Sequence, residues 1–276
     1  MISRNRIKYI RSLELKKYRS MHNAFVAEGN KLVSDMMHSF ECEWMLAKSS
    51  WMATQGDIPA HELLVDEADE MRKVSFLATP QDVVAVFRLP HYDIADVDPA
   101  TGLVLVLDGV QDPGNLGAIV RLAAWFGIRH VVCSPDTADV FAPKAVQSTM
   151  GALSCVKVHY SPPETFLSMA VEASATVYGS FLEGENIYDA TLSPAGVIVM
   201  GNEGAGIRPE VERLVDRRLH IPSYPPAEVA SAESLNVASA AAVICAEFRR
   251  RSLRNSSPYS SSADSNHSCA EAVLKE

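Results

Sequence analysis

Cysteine is scarce and scattered in this sequence. Cys42, Cys133, Cys155, Cys245 and Cys269 include no CxxC pair, which argues against a zinc ribbon or a disulfide framework. Reduced thiols in a cytoplasm, and no resident metal, are the expectation. Long apolar runs are missing too: none approaches the roughly 18–20 residues that cross a bilayer. The opening stretch MISRNRIKYIRSLELKKYR is too charged for the apolar core of a signal peptide. No internal repeat is visible. Positive charge is in deficit, with 25 Lys and Arg against 34 Asp and Glu and a net charge of −9. That balance argues against a uniformly basic, nucleic-acid-coating protein.

Two nucleotide-binding signatures are also absent. Gly201 to Gly206 has the glycine spacing of a phosphate loop, but Ile207-Arg208 stands where Lys-Ser/Thr is required. The dinucleotide fingerprint fails because Pro209 occupies the place of its third glycine.

What is present begins with the distribution of charge. Residues 1–20 carry seven basic side chains against Glu14 alone, a local +6 that leaves −15 on the rest of the chain. One helix is expected over residues 4–19, either a solvated amphipathic helix or a phosphate-contacting surface. Short apolar segments at 24–27, 44–47, 62–65 and 83–87 predict strands, and Asn30 is a candidate cap for a helix through Met37. They define a small α/β unit over 1–90. Residues 91–102 read as a polar linker. Alternation restarts at Leu103, with strands at 103–107, 130–133, 156–158, 176–179, 197–200 and 220–222. Helices intervene at 115–126, 143–150, 163–174 and 209–215, and a last one covers 234–251. This predicts an α/β domain over 103–253 with a mostly parallel sheet. The serine-rich stretch 254–276 reads as a disordered tail.

Three strand ends carry unusual residues. In LDGVQDPGNLGAIVR (107–121) an apolar strand runs into a Gly/Pro loop. Asn115 is placed to cap the next helix. Arg121 interrupts that helix's apolar face, and it reads equally as a solvated arginine or as part of an anion site. Glu203 lies among Gly201, Gly204 and Gly206, reachable because the backbone around it is bare. In SLNVASAAA (234–242), Ser234 is a candidate helix cap and Asn236 an amide among small residues that needs a partner.

Together DPGNLGAIVR (112–121), VMGNEGAGI (199–207) and IPS…SLNVASAAA (221–242) closely resemble the three motifs of the SpoU (TrmH-like) RNA ribose 2′-O-methyltransferases of the SPOUT superfamily. The resemblance covers about 101–251. Residues 1–90, including FVAEG, more loosely resemble the ribosomal-protein-like RNA-binding domain that often precedes this catalytic domain. The resemblance implies a trefoil-knotted parallel-sheet domain, homodimerisation through it, and S-adenosylmethionine held by Gly201, Ile221 and Leu235. It implies an rRNA or tRNA substrate, with Arg121 as the catalytic arginine. Our reading gives Arg121 the RNA phosphate and the developing alkoxide, because a guanidinium is a poor base. Asn115 and Glu203 would orient it, Glu203 also taking the proton through water. Ser234 and Asn236 would position the hydroxyl or the cofactor. The chain departs from the family at Ser223, where methionine is usual, and in a longer, glycine-free spacer over 224–233. Two alternatives stay open: a non-catalytic RNA-binding or ribosome-assembly protein on the same fold, and a base-nitrogen RNA methyltransferase.

Overall fold

The computed structural model describes residues 2–66, 68–224 and 233–255. In chain order its elements are α1 (Arg4–Ser12), α2 (Lys16–His22), β1 (Ala24–Glu28), α3 (Asn30–Met36), β2 (Cys42–Ala47), α4 (Ser49–Met52), β3 (Leu63–Val65), α5 (Met71–Val74) and β4 (Val83–Arg88). There follow β5 (Leu103–Asp108), α6 (Pro113–Trp125), β6 (His130–Cys133), α7 (Pro143–Thr149), β7 (Lys157–Tyr160), α8 (Pro163–Glu172) and β8 (Val177–Phe181). The chain goes on through β9 (Glu185–Asn186), β10 (Gly196–Gly201), α9 (Pro209–Glu212), β11 (Arg217–His220) and α10 (Val237–Asn255). Two compact units result. One holds residues up to His91 together with Asp139–Ser154, and the other holds Tyr92–Ala138 and the chain from Cys155 onward.

The first unit is built on a mixed four-stranded sheet, ordered β1-β4-β2-β3. The pairs β1–β4 and β4–β2 are antiparallel, and β2–β3 is parallel. Every residue of β1 is buried, so both faces of the sheet are covered. One face packs Ile10, Leu13, Trp44, Val84 and Val86. On the other, Phe25 meets Phe40, Phe87 and Phe141 with ring centroids 4.8–5.7 Å apart. Phe141 belongs to the returning segment, which is why 139–154 counts with this unit.

The helix expected over 4–19 is broken into α1 and α2, and the break has a physical cause. Leu13 is fully buried, and the carbonyls of Leu13 and Glu14, freed at the turn, accept hydrogen bonds from Arg19 at 2.8 and 2.7 Å. Arg19 is itself only 3% exposed and pairs with Asp139 at 2.6 Å. It is a structural arginine, removed from the surface charge that the sequence offered. Asn30 is the first residue of α3 and follows Gly29 at the cap position. It accepts from the Asp82 N–H and donates to the Asp82 carboxylate.

In the second unit all seven strands are parallel, ordered β7-β6-β5-β10-β8-β11-β9. β5 is buried along its whole length, as a central parallel strand covered on both faces must be. The two-residue β9 has too little pattern to be read from sequence. Val97 is buried in this unit's core with Ile94 packed against it, so the stretch expected as a polar linker is anchored here. The last helix starts at Val237 and runs to Asn255. It packs on α6, and Arg249 donates to the carbonyls of Phe126 and Gly127 just past the C-terminal end of α6. Cys42, Cys133 and Cys245 are free and buried. The expected tail beyond Asn255, and 225–232 of the spacer, lie outside the described residues. No described helix is long and apolar enough to cross a membrane.

Replacing Arg19 by alanine leaves the Asp139 carboxylate and two carbonyls uncompensated. Denaturant unfolding is expected to show a loss of about 3–5 kcal/mol. A loss below about 1 kcal/mol, the range of surface pairs, would show that the pair is not what holds the turn.

Candidate active site

Asp108 ends β5 directly beside Gly201, the last residue of β10, so the loops after these neighbouring strands leave the sheet at one edge. The carboxyl ends of parallel strands form the usual ligand crevice. The first loop turns at Gly109, whose φ of +75° favours glycine. Its N–H donates to Ser134 Oγ at 2.9 Å, and its carbonyl accepts from Asn202 Nδ2 at 2.7 Å. Asp112, not Asn115, caps α6: its side chain accepts the Asn115 N–H at 2.9 Å, with Pro113 at the first helical position. Because capping is done three residues earlier, the Asn115 side chain is released for other bonds.

The second loop folds on itself. Asn202 and Gly206 exchange backbone hydrogen bonds at 2.9 and 3.0 Å. The Asn202 side chain accepts the N–H groups of Gly204 and Ala205, both at 2.9 Å. A Cβ on Gly201 would lie 2.2 Å from the backbone carbon of Gly206, so only glycine fits there. The loop is tied to β5 through Asp108, whose side chain is fully buried. One of its oxygens accepts from Arg208 Nε at 2.7 Å and Nη2 at 2.5 Å, and the other takes the Arg208 N–H at 2.8 Å. Asp108, Asn202 and Arg208 were not among the sequence candidates. An acid ending an apolar strand was the available signal for Asp108.

At the third stretch Asn236 caps α10, in place of the expected Ser234. Its Oδ1 accepts the N–H of Ala238 at 3.0 Å and of Ser239 at 3.3 Å. The three stretches meet in one chain of amides ending on a carboxylate. Asn236 Nδ2 donates to Asn115 Oδ1 at 3.0 Å, and Asn115 Nδ2 donates to Glu203 Oε1 at 2.9 Å. The Gln111 N–H reaches Glu203 Oε2 at 3.3 Å. With Asn115 near Asn236 at one end and Phe126 near Arg249 at the other, α6 and α10 run side by side in the same direction. Their positive N-terminal ends therefore lie together at this site.

Partial burial pushes the Glu203 carboxyl upward, but the hydrogen bonds from Asn115 and from neighbouring backbone N–H groups outweigh it and hold the group below the ordinary carboxylate value. Arg121 lies exposed on α6, six residues and about 9 Å of helix rise beyond Asn115. Ser234 and Leu235 are exposed just ahead of α10, and Ile221 is half-buried immediately after β11. Next to it, the Nδ1 atom of His220 is buried with no hydrogen-bond partner among the described residues. No group of three or more His, Cys, Asp or Glu among the described residues could hold a metal ion.

The sequence profile of the SpoU rRNA Methylase family matches residues 102–246, more than half the chain. The chain belongs to the SpoU family. A second profile, the MRM3-like substrate binding domain, matches residues 4–85. This SpoU protein is similar to the 23S rRNA (guanosine(2553)-2′-O)-methyltransferase of Bacillus subtilis, 30% identical over 250 residues, covering 88% of this chain and 96% of that one. Among solved structures it is similar to a TrmH-family protein of Porphyromonas gingivalis, 41% identical with a TM-score of 0.82, covering 91% of this chain and 99% of that one. It is also similar to the AdoMet-bound rRNA methyltransferase of Sinorhizobium meliloti, 27% identical with a TM-score of 0.77, covering 91% and 97%.

Glu203 is the titratable reporter of this network. Asn115→Ala removes a bond that lowers its pKa, so carboxyl-carbon NMR should show the titration of Glu203 moving upward; an unmoved titration would free Asn115 of that role. Because the folded value is depressed, Glu203 adds stability that is complete above the unfolded carboxylate pKa and is lost as pH falls through the folded one. Glu203→Gln should therefore flatten the acid limb of the stability profile.

Proposed function

We propose that this chain transfers a methyl group from S-adenosylmethionine to a ribose 2′-hydroxyl of RNA, with ribosomal RNA the favoured class, and acts in the cytoplasm. The observation that carries this reading is the bond chain Asn236–Asn115–Glu203, which ties residues from three separated motifs into one polar site. Relatives named for ribose 2′-O-methylation of 23S rRNA support the choice of acceptor.

The residues fit the cofactor. A bare loop after Gly201, the apolar side chains of Ile221 and Leu235, and the unpartnered His220 Nδ1 supply backbone, apolar and polar contacts for an adenosine and its amino-acid arm. When bound, S-adenosylmethionine supplies an electrophilic methyl group on a sulfonium sulfur. The protein's work is then positioning for an in-line displacement and stabilisation of the charge on the attacking oxygen. Arg121 grips the phosphate beside the target ribose and steadies the developing alkoxide. Two helix N-termini add to the field that favours an anion there. Asn115, fixed by Asn236 and Glu203, presents its amide in one orientation, and Ser234 lies two residues from Asn236 to position the hydroxyl. Both Glu203 oxygens already accept hydrogen bonds and the carboxyl is held acidic, so Glu203 orients the site and is a weak proton acceptor. Pairing of two copies through the second unit, and threading of the C-terminal segment into a trefoil knot, belong to the same proposal and rest on family membership.

The test is transfer of labelled methyl from S-adenosylmethionine to ribosomal RNA from a strain lacking the gene, followed by alkaline hydrolysis. Label in alkali-resistant dinucleotides is expected; label released as a modified base would move the reaction to a base nitrogen. Isothermal titration showing no cofactor binding would instead favour a non-catalytic RNA-binding role. Arg121→Lys keeps the charge but loses the planar fork, and its turnover should fall about 100-fold. Near-normal turnover would refute the bidentate grip.

A further inference from the structure

The first unit carries a cluster of rings that no part of the proposed chemistry uses. Tyr18 and His22 are four residues apart on α2 and so share a face. Their rings are near-parallel, 16° apart in tilt with centroids 6.3 Å apart. Tyr9 of α1 sets its ring at 90° to His22 with centroids 4.9 Å apart, and its hydroxyl donates to Glu43 at 3.2 Å. The platform is therefore braced from behind while His22 remains exposed. Arg19, next to Tyr18 and three residues before His22, is buried against Asp139, which fixes the rotation of α2 about its axis.

The surroundings of the platform are apolar and cationic. Met21 is 71% exposed and Leu15 52% exposed. Lys17 holds its ammonium 4.7 Å from the Tyr18 ring centroid, and Arg4, Lys8 and Lys16 are exposed on the same two helices. Glu14 is the one acid in the first twenty residues of a chain whose net charge is −9. A π-face flanked by flexible cations suits a polyanion whose units are aromatic. The geometry points to this face as a stacking platform for an unpaired RNA segment: one or two bases lie on Tyr18 and His22 while lysines of α1 and α2 follow the adjacent phosphates. Duplex RNA keeps its bases stacked inside, so the platform selects single-stranded or looped RNA. The choice of RNA as occupant rests on the proposed function; the platform itself does not.

The test uses the full chain and a fluorescein-labelled unpaired oligoribonucleotide, with a fully paired hairpin as control. Tyr18→Leu/His22→Leu keeps apolar bulk without a π-face, and Tyr18→Phe/His22→Phe keeps both. The leucine pair should bind the unpaired RNA about 10-fold or more weakly, within the range lost per stacked base. The phenylalanine pair should match wild type, and hairpin binding should change little in either. The salt slope of binding should hold in the leucine pair and fall in Lys17→Gln. In methyl transfer to ribosomal RNA, the leucine pair should raise KM and leave kcat unchanged. Equal affinity of the leucine and phenylalanine pairs for unpaired RNA overturns the platform. So does unchanged RNA affinity accompanied by altered self-association in sedimentation, which would make the face a protein contact. Absent methyl transfer with the leucine–phenylalanine contrast intact would count against the proposed reaction and leave the platform standing.

Discussion

A carboxylate cut off from water at the end of the central strand is the constraint on which the second unit's working edge depends. Arg208 offers Asp108 a guanidinium and a backbone N–H together. A buried charge without such partners would be strongly destabilising. The consequence is geometric. Arg208 closes the loop that bears Glu203, and Asp108 opens the loop that leads to Asn115, so one ion pair sets the separation of two functional loops. Parallel pairing of β5 and β10 places the loops side by side, and the Asp108–Arg208 pair fixes their register.

The amide chain across the site follows from that frame. Asn115 has one acceptor and one donor in use, each toward a different segment. An amide can bridge a carboxylate and another amide at once; a carboxylate or an ammonium in its place could serve only one side. Arg249 clamps the far ends of α6 and α10, so the near ends, with Asn115 and Asn236, are held at a constant spacing.

Much of this was legible in the residues, and the failures are instructive. The apolar run at 103–107 identified the central strand because a strand buried on both faces has no alternation to hide it. Asn115, Glu203 and Asn236 stood out because amides and acids among small residues have few other uses. The caps were misplaced for a local reason: Pro113 occupies the first helical position, which makes Asp112 the cap, and Asn236 likewise pre-empts Ser234. The break between α1 and α2 was hidden because it depends on Arg19 reaching back to Leu13 and on Asp139, 120 residues away. No window of sequence contains that pair. Strand order, and with it the meeting of Asp108 and Arg208, is equally non-local.

The return of residues 139–154 to the first unit makes that unit discontinuous. Its phenylalanine cluster and its buried arginine both wait for partners synthesised only after β5, α6 and β6 of the second unit have been made. The amino-terminal half therefore cannot finish folding as it emerges, and an intermediate ending near His91 would carry an open aromatic face and an uncompensated arginine. Cutting the chain once between the units would part Arg19 from Asp139 and Phe25 from Phe141, and so leave two incomplete pieces.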